Sequence, residues 1–379
     1  MIRIGIPAQG FASWGGGIDF LRMLISSLHH TGESLEFHLL CPTRGPRPDT
    51  RYLLRRPYRG LRSLMGMGGT ERGWVEAERA RELAQSVEPV VAVHEIHEGS
   101  IALGNMARKL SLDVLIPSFQ VLPSDFPAPW IGYAYDFQHR YFPQLFEPRE
   151  CERRDRHFAD LGHKSRALIV NARAVAADLE RFHPGGQARV FVLPFCPAPQ
   201  VAWVDADAST AARLGIARPY FIVCNQFWKH KDHLTAFEAF ASFAAEHPDV
   251  DLVCTGDTED LRAPEYFPEL LQRLDARGIR SRVHILGRIA KQDQIALMSG
   301  ALALVQPTLF EGGPGGGAVY DAVAIGQRCV VSDIPVNREI EAPDLRFFTA
   351  GDATSLAACL RQVLGEPAAP RPNGAILLE

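Results

Sequence analysis

The run Phe310-Glu311-Gly312-Gly313-Pro314-Gly315-Gly316-Gly317-Ala318-Val319-Tyr320-Asp321 places two carboxylates around a glycine tract. Ala301 to Gln306 before it reads as a short buried strand, and Ala318 to Ile325 after it reads as a helix closed by Gly326. The tract therefore sits at the carboxyl end of a strand. In open α/β sheets ligands bind there, and the free amides of a helix N-terminus attract phosphate or sugar oxygens. Glycine permits positive φ and close backbone approach. With Glu311 ahead of Gly312, Gly313, Gly315, Gly316 and Gly317, and Asp321 beyond them, the run suits a ligand that is both polyhydroxylated and anionic.

A second concentration of charge follows another buried strand. Phe221-Ile222-Val223-Cys224 runs into Asn225-Gln226-Phe227-Trp228-Lys229-His230-Lys231-Asp232-His233. Cations at a strand end suit a phosphate group. The same residues also read as a solvated helix start with Asp232 as N-cap. A third loop, directly after strand one, carries Gly15, Gly16 and Gly17. It does not fit G-x-G-x-x-G, and strand two ends in Pro42 with no acid placed for a ribose, so dinucleotide binding is weakly supported. Donation of amides to a diphosphate is the better functional reading of this loop. His94-Glu95-Ile96-His97 reads as another loop and lacks the helical i, i+4 spacing of a zinc site; no metal is expected. Asp205-Ala206-Asp207 reads as solvated linker.

These loops need scaffolds. At 379 residues the chain exceeds what one hydrophobic core usually organises. Apolar residues at 46% and charged residues at 22% put it in the folded globular class. Strands and helices alternate in two successive sets, each reading as a doubly wound parallel sheet. Strand candidates are Ile2–Ile6, Glu36–Cys41, Asp113–Pro117 and Ala167–Asn171, then Tyr220–Asn225, Asp251–Thr255, Arg282–Leu286, Ala301–Gln306 and Arg328–Ser332. The Pro-punctuated stretch Leu193–Pro199 separates the sets and predicts domains over 1–194 and 195–366, with a flexible tail over 367–379. A cleft between the carboxyl edges of the two sheets would hold a small ligand.

The net charge of −4 disfavours nucleic acid as a partner. No run approaches the ~18 apolar residues of a membrane helix, and Met1–Ile6 reads as a strand, not a signal peptide, so a cytoplasmic location is expected. Seven scattered cysteines without a C-x-x-C pair read as reduced and structural. Residues 43–69 are irregular and rich in arginine; a solvated loop fits, and so does a surface for anionic lipid or a phosphorylated acceptor, which would associate the protein peripherally with a membrane.

Three features make the second half resemble the nucleotide-binding domain of the group 1 glycosyltransferases of the family 4 type. They are Asn225-Gln226 followed by Lys231, the segment Val283-His284-Ile285-Leu286-Gly287-Arg288, and the stretch from Pro307-Thr308-Leu309-Phe310-Glu311-Gly312 to Ser332-Asp333-Ile334-Pro335-Val336-Asn337-Arg338-Glu339. In the first half the likeness rests on the Gly15–Gly17 loop and on Tyr135-Asp136-Phe137-Gln138-His139-Arg140-Tyr141, which resembles the family's loop near the acceptor. The resemblance implies the GT-B architecture, with two Rossmann-like doubly wound parallel-sheet domains facing across a cleft. It implies retaining, metal-independent transfer of a sugar from a nucleotide-sugar donor, UDP- or GDP-linked, with no cofactor. Glycans, lipid-linked glycans and small molecules are the acceptor classes, and bacterial polysaccharide or glycoconjugate synthesis the implied setting.

By the same resemblance Lys231 holds the donor diphosphate and Glu311 contacts sugar hydroxyls. Gln226 stands where arginine is usual, so Lys229 or Arg288 would compensate. Asp321 is the candidate for the second acid, which receives the ribose. It follows Glu311 by ten positions where the family has eight, leaving Val319 in the expected place. His139, with Asp136 nearby, would position the acceptor, contact sugar or handle a proton; a structural histidine fits as well. A nucleotide-sugar epimerase of the same architecture, and a binding protein with a degenerate active site, are the alternative functions.

Overall fold

A computed structural model describes residues 1–12, 15–43, 69–97, 99–194, 203, 207 and 209–367. Most of the basic segment, most of the Leu193–Pro199 connection, Asp205 and the tail from 368 onward lie outside the described residues. Two compact units are present. The first comprises 1–134, 153–170 and 179–193, and the second comprises 135–152, 171–178 and 194–379.

The first unit is built on a parallel sheet of β1 (Ile2–Pro7), β2 (Leu35–Pro42), β3 (Ala92–Ile96), β4 (Val114–Ser118), β5 (Trp130–Ala134), β6 (Ala167–Val170) and β7 (Arg189–Val192). Their order is β3-β2-β1-β4-β5-β6-β7. The second has β8 (Tyr220–Cys224), β9 (Asp251–Thr255), β10 (Val283–Ile285), β11 (Leu304–Gln306), β12 (Cys329–Ser332) and β13 (Leu345–Phe348), ordered β10-β9-β8-β11-β12-β13. Every strand pairing among the described residues is parallel. The strand order of each sheet reverses once, between β1 and β4 and between β8 and β11, which is the doubly wound arrangement expected from the alternating pattern.

The β8 sequence shows why this sheet is covered on both sides. Phe221 and Val223 join one core cluster with Phe237, Phe240 and Phe243 of the helix His233–Glu246. Tyr220, Ile222 and Cys224 join a second cluster with Ile295, Leu297 and Met298 of the helix Lys291–Gly300 and Val319 of the helix Gly316–Ala324. Side chains alternate across a strand, so an uninterrupted apolar run serves two layers of helix. Each fully buried aromatic or aliphatic side chain contributes about 1.5–3 kcal/mol. The six described cysteines are free. Burial pushes the Cys41 and Cys224 thiols up to about 12, which keeps them protonated and unreactive at neutral pH.

Four strands are not among the expected ones. His94 lies on β3 and not in a loop: its Nε2 is 3.1 Å from Nδ1 of His38 on the neighbouring β2. β5 and β13 lie within runs that mix glycine, proline or charge with apolar residues. β7 also escapes the alternation rule, since all four of its residues are exposed.

Candidate functional site

The two switch points differ in chemistry. In the first unit the loops after β1 and β4 bring Phe11 and Phe119 to a ring separation of 4.1 Å, with Tyr133 at 5.2 Å from each. Phe11, Phe20 and Tyr133 are fully buried, so aromatic rings fill that position. Gly15, Gly16 and Gly17 form the opening turn of the helix Gly15–His29.

In the second unit the corresponding position is polar. Asn225 directly follows β8 and Gln306 closes β11, and the Asn225 side-chain amide donates to Gln306 Oε1 at 2.7 Å across the strand reversal. Gln306 Nε2 donates in turn to Glu311 Oε1 at 2.9 Å and to the Gly315 carbonyl at 3.2 Å. Lys231, on the loop after β8, donates to the same Glu311 oxygen at 2.5 Å. The two side chains are 13% and 9% exposed, so the pair is sheltered yet reachable from solvent. A sheltered charge needs a partner, and here each supplies the other's.

The glycine tract is shaped to this end. Gly315 and Gly316 have φ of +64° and +61°, a conformation that side chains disfavour. A Cβ on Gly315 would come within 2.5 Å of Val319 Cβ, and one on Gly316 would lie 3.3 Å from Glu311 Oε2. The Gly315 amide donates to Asn337 Oδ1 at 2.8 Å, and Asn337 is anchored by its Nδ2 to the Ser332 carbonyl at 2.9 Å. The β12 end thus fixes the turn from which the helix Gly316–Ala324 starts beside Glu311. Thr308 shapes the approach, its hydroxyl donating to the His230 carbonyl at 3.2 Å. A Cβ on Gly312 would meet the Tyr135 carbonyl at 2.6 Å and Asp136 Cβ at 3.0 Å, so the Asp136 segment packs directly on the residue after Glu311. The rings of Tyr141 and Phe310 lie 5.4 Å apart, tilted by 43°.

Lys231, Glu311, Gly312, Gly315, Gly316 and Asp136 are therefore brought together. His139 is close in sequence but 1% exposed, its ring 6.4 Å from those of Phe137 and Phe146. Asp136 Oδ1 accepts from the Gln138 amide at 3.0 Å, fixing the short helix Gln138–Tyr141. Gln226, Lys229, Arg288 and Gly317 are exposed. Asp321 is 7% exposed and forms an ion pair with Lys291, whose ammonium lies 5.6 Å from the Trp203 ring centre. Val319, two residues earlier, is fully buried in the core. The added loop length therefore removes position 319 from any polar role. Asp232 caps the helix His233–Glu246, accepting from the Thr235 amide at 3.3 Å, so the helix-start reading of that loop holds alongside the cationic one.

Burial lowers the pKa of His230 to about 2, assisted by Lys231 and Arg262, and that of fully buried His233 to about 3, assisted by Lys231. Both rings are neutral at physiological pH. The cationic character of the loop comes from its lysines. Asn225, Gln306, Asn337 and Lys291 were not among the expected site residues. The first two had a signal, since each is the polar residue at the end of an apolar strand.

Residues 211–373 match the family Glycosyl transferases group 1. No curated protein matches the chain in sequence. Among solved structures, HepE from Anabaena, in complex with UDP, aligns with a TM-score of 0.63 at 15% identity over 96% of this chain and 90% of its own. Sucrose-phosphate synthase from Thermosynechococcus elongatus aligns with a TM-score of 0.68 at 14% identity, covering 100% and 93%. The lipopolysaccharide outer core galactosyltransferase WaaB in its apo form gives 0.58 at 14% identity, covering 99% and 94%. Among the described residues no helix is long and apolar enough to cross a membrane. Residues 211–373 thus match the group 1 glycosyl transferases, in a chain with the two-sheet GT-B fold of the solved glycosyltransferases it aligns with.

Proposed function

We propose that the protein is a retaining glycosyltransferase that moves a sugar from a nucleotide-sugar donor to a glycan or lipid-linked acceptor in bacterial polysaccharide or glycoconjugate synthesis. The observation that carries this reading is the Lys231–Glu311 pair at the switch point of the second sheet, beside a glycine-opened helix start. Donor phosphates would approach the Lys231 ammonium and the first-turn amides, while the sugar hydroxyls meet Glu311. Charge developing on the departing diphosphate would be stabilised by these fixed groups, without a divalent metal. Asp321, held by Lys291, is proposed as the ribose acceptor in place of a glutamate. Asp136, packed on Gly312, is proposed to orient the acceptor, with His139 behind it. HepE was solved in complex with UDP and with UDP-glucose, which makes a uridine-linked donor the first to test. WaaB, a lipopolysaccharide galactosyltransferase, supports a lipid-linked glycan as acceptor class. The proposed location is cytoplasmic, with peripheral membrane contact through the basic segment.

The test is an assay with radiolabelled nucleotide sugars and a panel of glycan and lipid acceptors, run on the wild type and Glu311→Gln. Transfer should occur with retained anomeric configuration, and Glu311→Gln should lower kcat/KM by about 100-fold or more with its unfolding midpoint within a few degrees of wild type. Conversion of the donor sugar without an acceptor would assign an epimerase. Tight donor binding with no turnover would assign a binding protein.

A further inference from the structure

Arg262, on the loop after β9, belongs to none of the groups assigned above. Its guanidinium carbon sits 5.3 Å from the Phe146 ring centre and 5.4 Å from that of Trp228, so two aromatic faces hold the plane in one orientation. Nη1 donates to Gln138 Oε1 at 3.1 Å. Phe146, Gln138, Trp228 and Arg262 all belong to the second unit. The nearest carboxylate is Asp260, but its oxygen approaches Arg262 Nε only to 3.6 Å. That carboxylate is 4% exposed and is occupied by backbone amides: Lys229 donates at 3.2 Å and Arg262 at 3.0 Å. Asp260 therefore staples the loop after β9 to the loop that carries Lys231, and among the described residues the Arg262 fork has no hydrogen-bonded counter-ion. The side chain is 29% exposed, so the fork is open to a solute.

Two cations thus stand on one stapled body. Lys231 follows Trp228 within a single turn, its amide donating to the Trp228 carbonyl at 2.8 Å. Buried His230 feels the field of both. Lys231 has a carboxylate at hydrogen-bonding distance; among the described residues Arg262 has an oriented edge and only the 3.6 Å approach of Asp260. A planar guanidinium held in this way suits bidentate binding of a phosphate.

We propose that Arg262 is a phosphate-binding residue of the nucleotide-sugar site, taking the diphosphate together with Lys231. This rests on the glycosyltransferase reading above and adds the second cation that fixes selectivity for a diphosphate over a nucleoside.

The experiment is calorimetric titration of the intact chain with UDP, GDP and the corresponding nucleosides, for wild type, Arg262→Gln, Arg262→Lys and Lys231→Ala. Arg262→Gln should weaken nucleoside diphosphate binding by roughly 10- to 100-fold, leave nucleoside binding unchanged, and be partly restored in Arg262→Lys. Equal losses for nucleoside and diphosphate in Arg262→Gln would mark a merely structural tie to Gln138 and Trp228 and overturn the proposal. So would wild-type diphosphate affinity in Arg262→Gln when Lys231→Ala has lost it; that outcome leaves the parent reading standing. A wild type that binds neither diphosphate overturns the parent reading, and this one with it.

Discussion

At the level of single residues, Lys231 and Glu311 are charges whose partners are already present in the free protein. Lys231 and Glu311 satisfy each other, Gln306 holds Glu311, and Asn225 holds Gln306. Such a chain orients a carboxylate without waiting for ligand, which lowers the cost of organising it in the reaction. The neighbouring histidine gives this arrangement a measurable pH signature. Burial, Lys231 and Arg262 take His230 from its ordinary 6.5 to about 2. Between those values the unfolded chain holds a proton on this ring and the folded chain does not, so the stabilisation is fully present above 6.5 and is lost as pH falls. His230→Gln should therefore flatten the fall in unfolding free energy between pH 6.5 and 4.5, by up to about 1.4 kcal/mol per pH unit. Urea melts at half-unit pH steps would read it, and parallel slopes for variant and wild type would contradict it.

The elements that carry these residues were largely legible in the sequence. The strands β8, β9, β11 and β12 announce themselves as short apolar runs, because a doubly covered parallel strand has no polar face. β7 and β13 could not be read this way, since their exposed or half-exposed residues mix arginine with valine, leucine and phenylalanine. β3 was hidden for a related reason: it is an edge strand, and its histidine and glutamate read as loop chemistry. For the site, the pairing of Lys231 with Glu311 was implied by strand order. The engagement of Asp321 with Lys291 was not, because it depends on the phase of a helix whose start the glycines displace. That start makes a sharp prediction about adjacent glycines. Gly315→Ala forces positive φ on an alanine and a contact of 2.5 Å with Val319, and should destabilise the protein by about 1–3 kcal/mol. Gly317→Ala meets nothing within 4 Å and lies in the first turn of the helix, so it should be neutral or stabilise by up to about 1 kcal/mol. Chemical denaturation of the two variants distinguishes them, and equal effects would show that the loop is not held in this conformation.

On the scale of the whole chain, two sheets of the same winding have diverged at the point where each reverses. Phe11, Phe20, Phe119 and Tyr133 occupy it in the first unit, and Asn225, Gln306, Lys231 and Glu311 in the second. Segments 135–152 and 171–178 from the first half belong with the second unit, where Glu339 accepts from the Arg173 and Ala174 amides at 2.8 and 2.7 Å. The functional unit is thus discontinuous in sequence, which explains why the first half resembled the family only at scattered points. Capture of the donor diphosphate is proposed for the second unit, at Lys231 and the glycine turn. A crystal structure of the intact chain with bound UDP tests this most directly. The diphosphate is expected within hydrogen-bonding distance of the Lys231 ammonium and against the opening amides of the helix Gly316–Ala324, with Glu311 facing the sugar side; a diphosphate seated instead on the loops of the first sheet, away from Lys231, would contradict it.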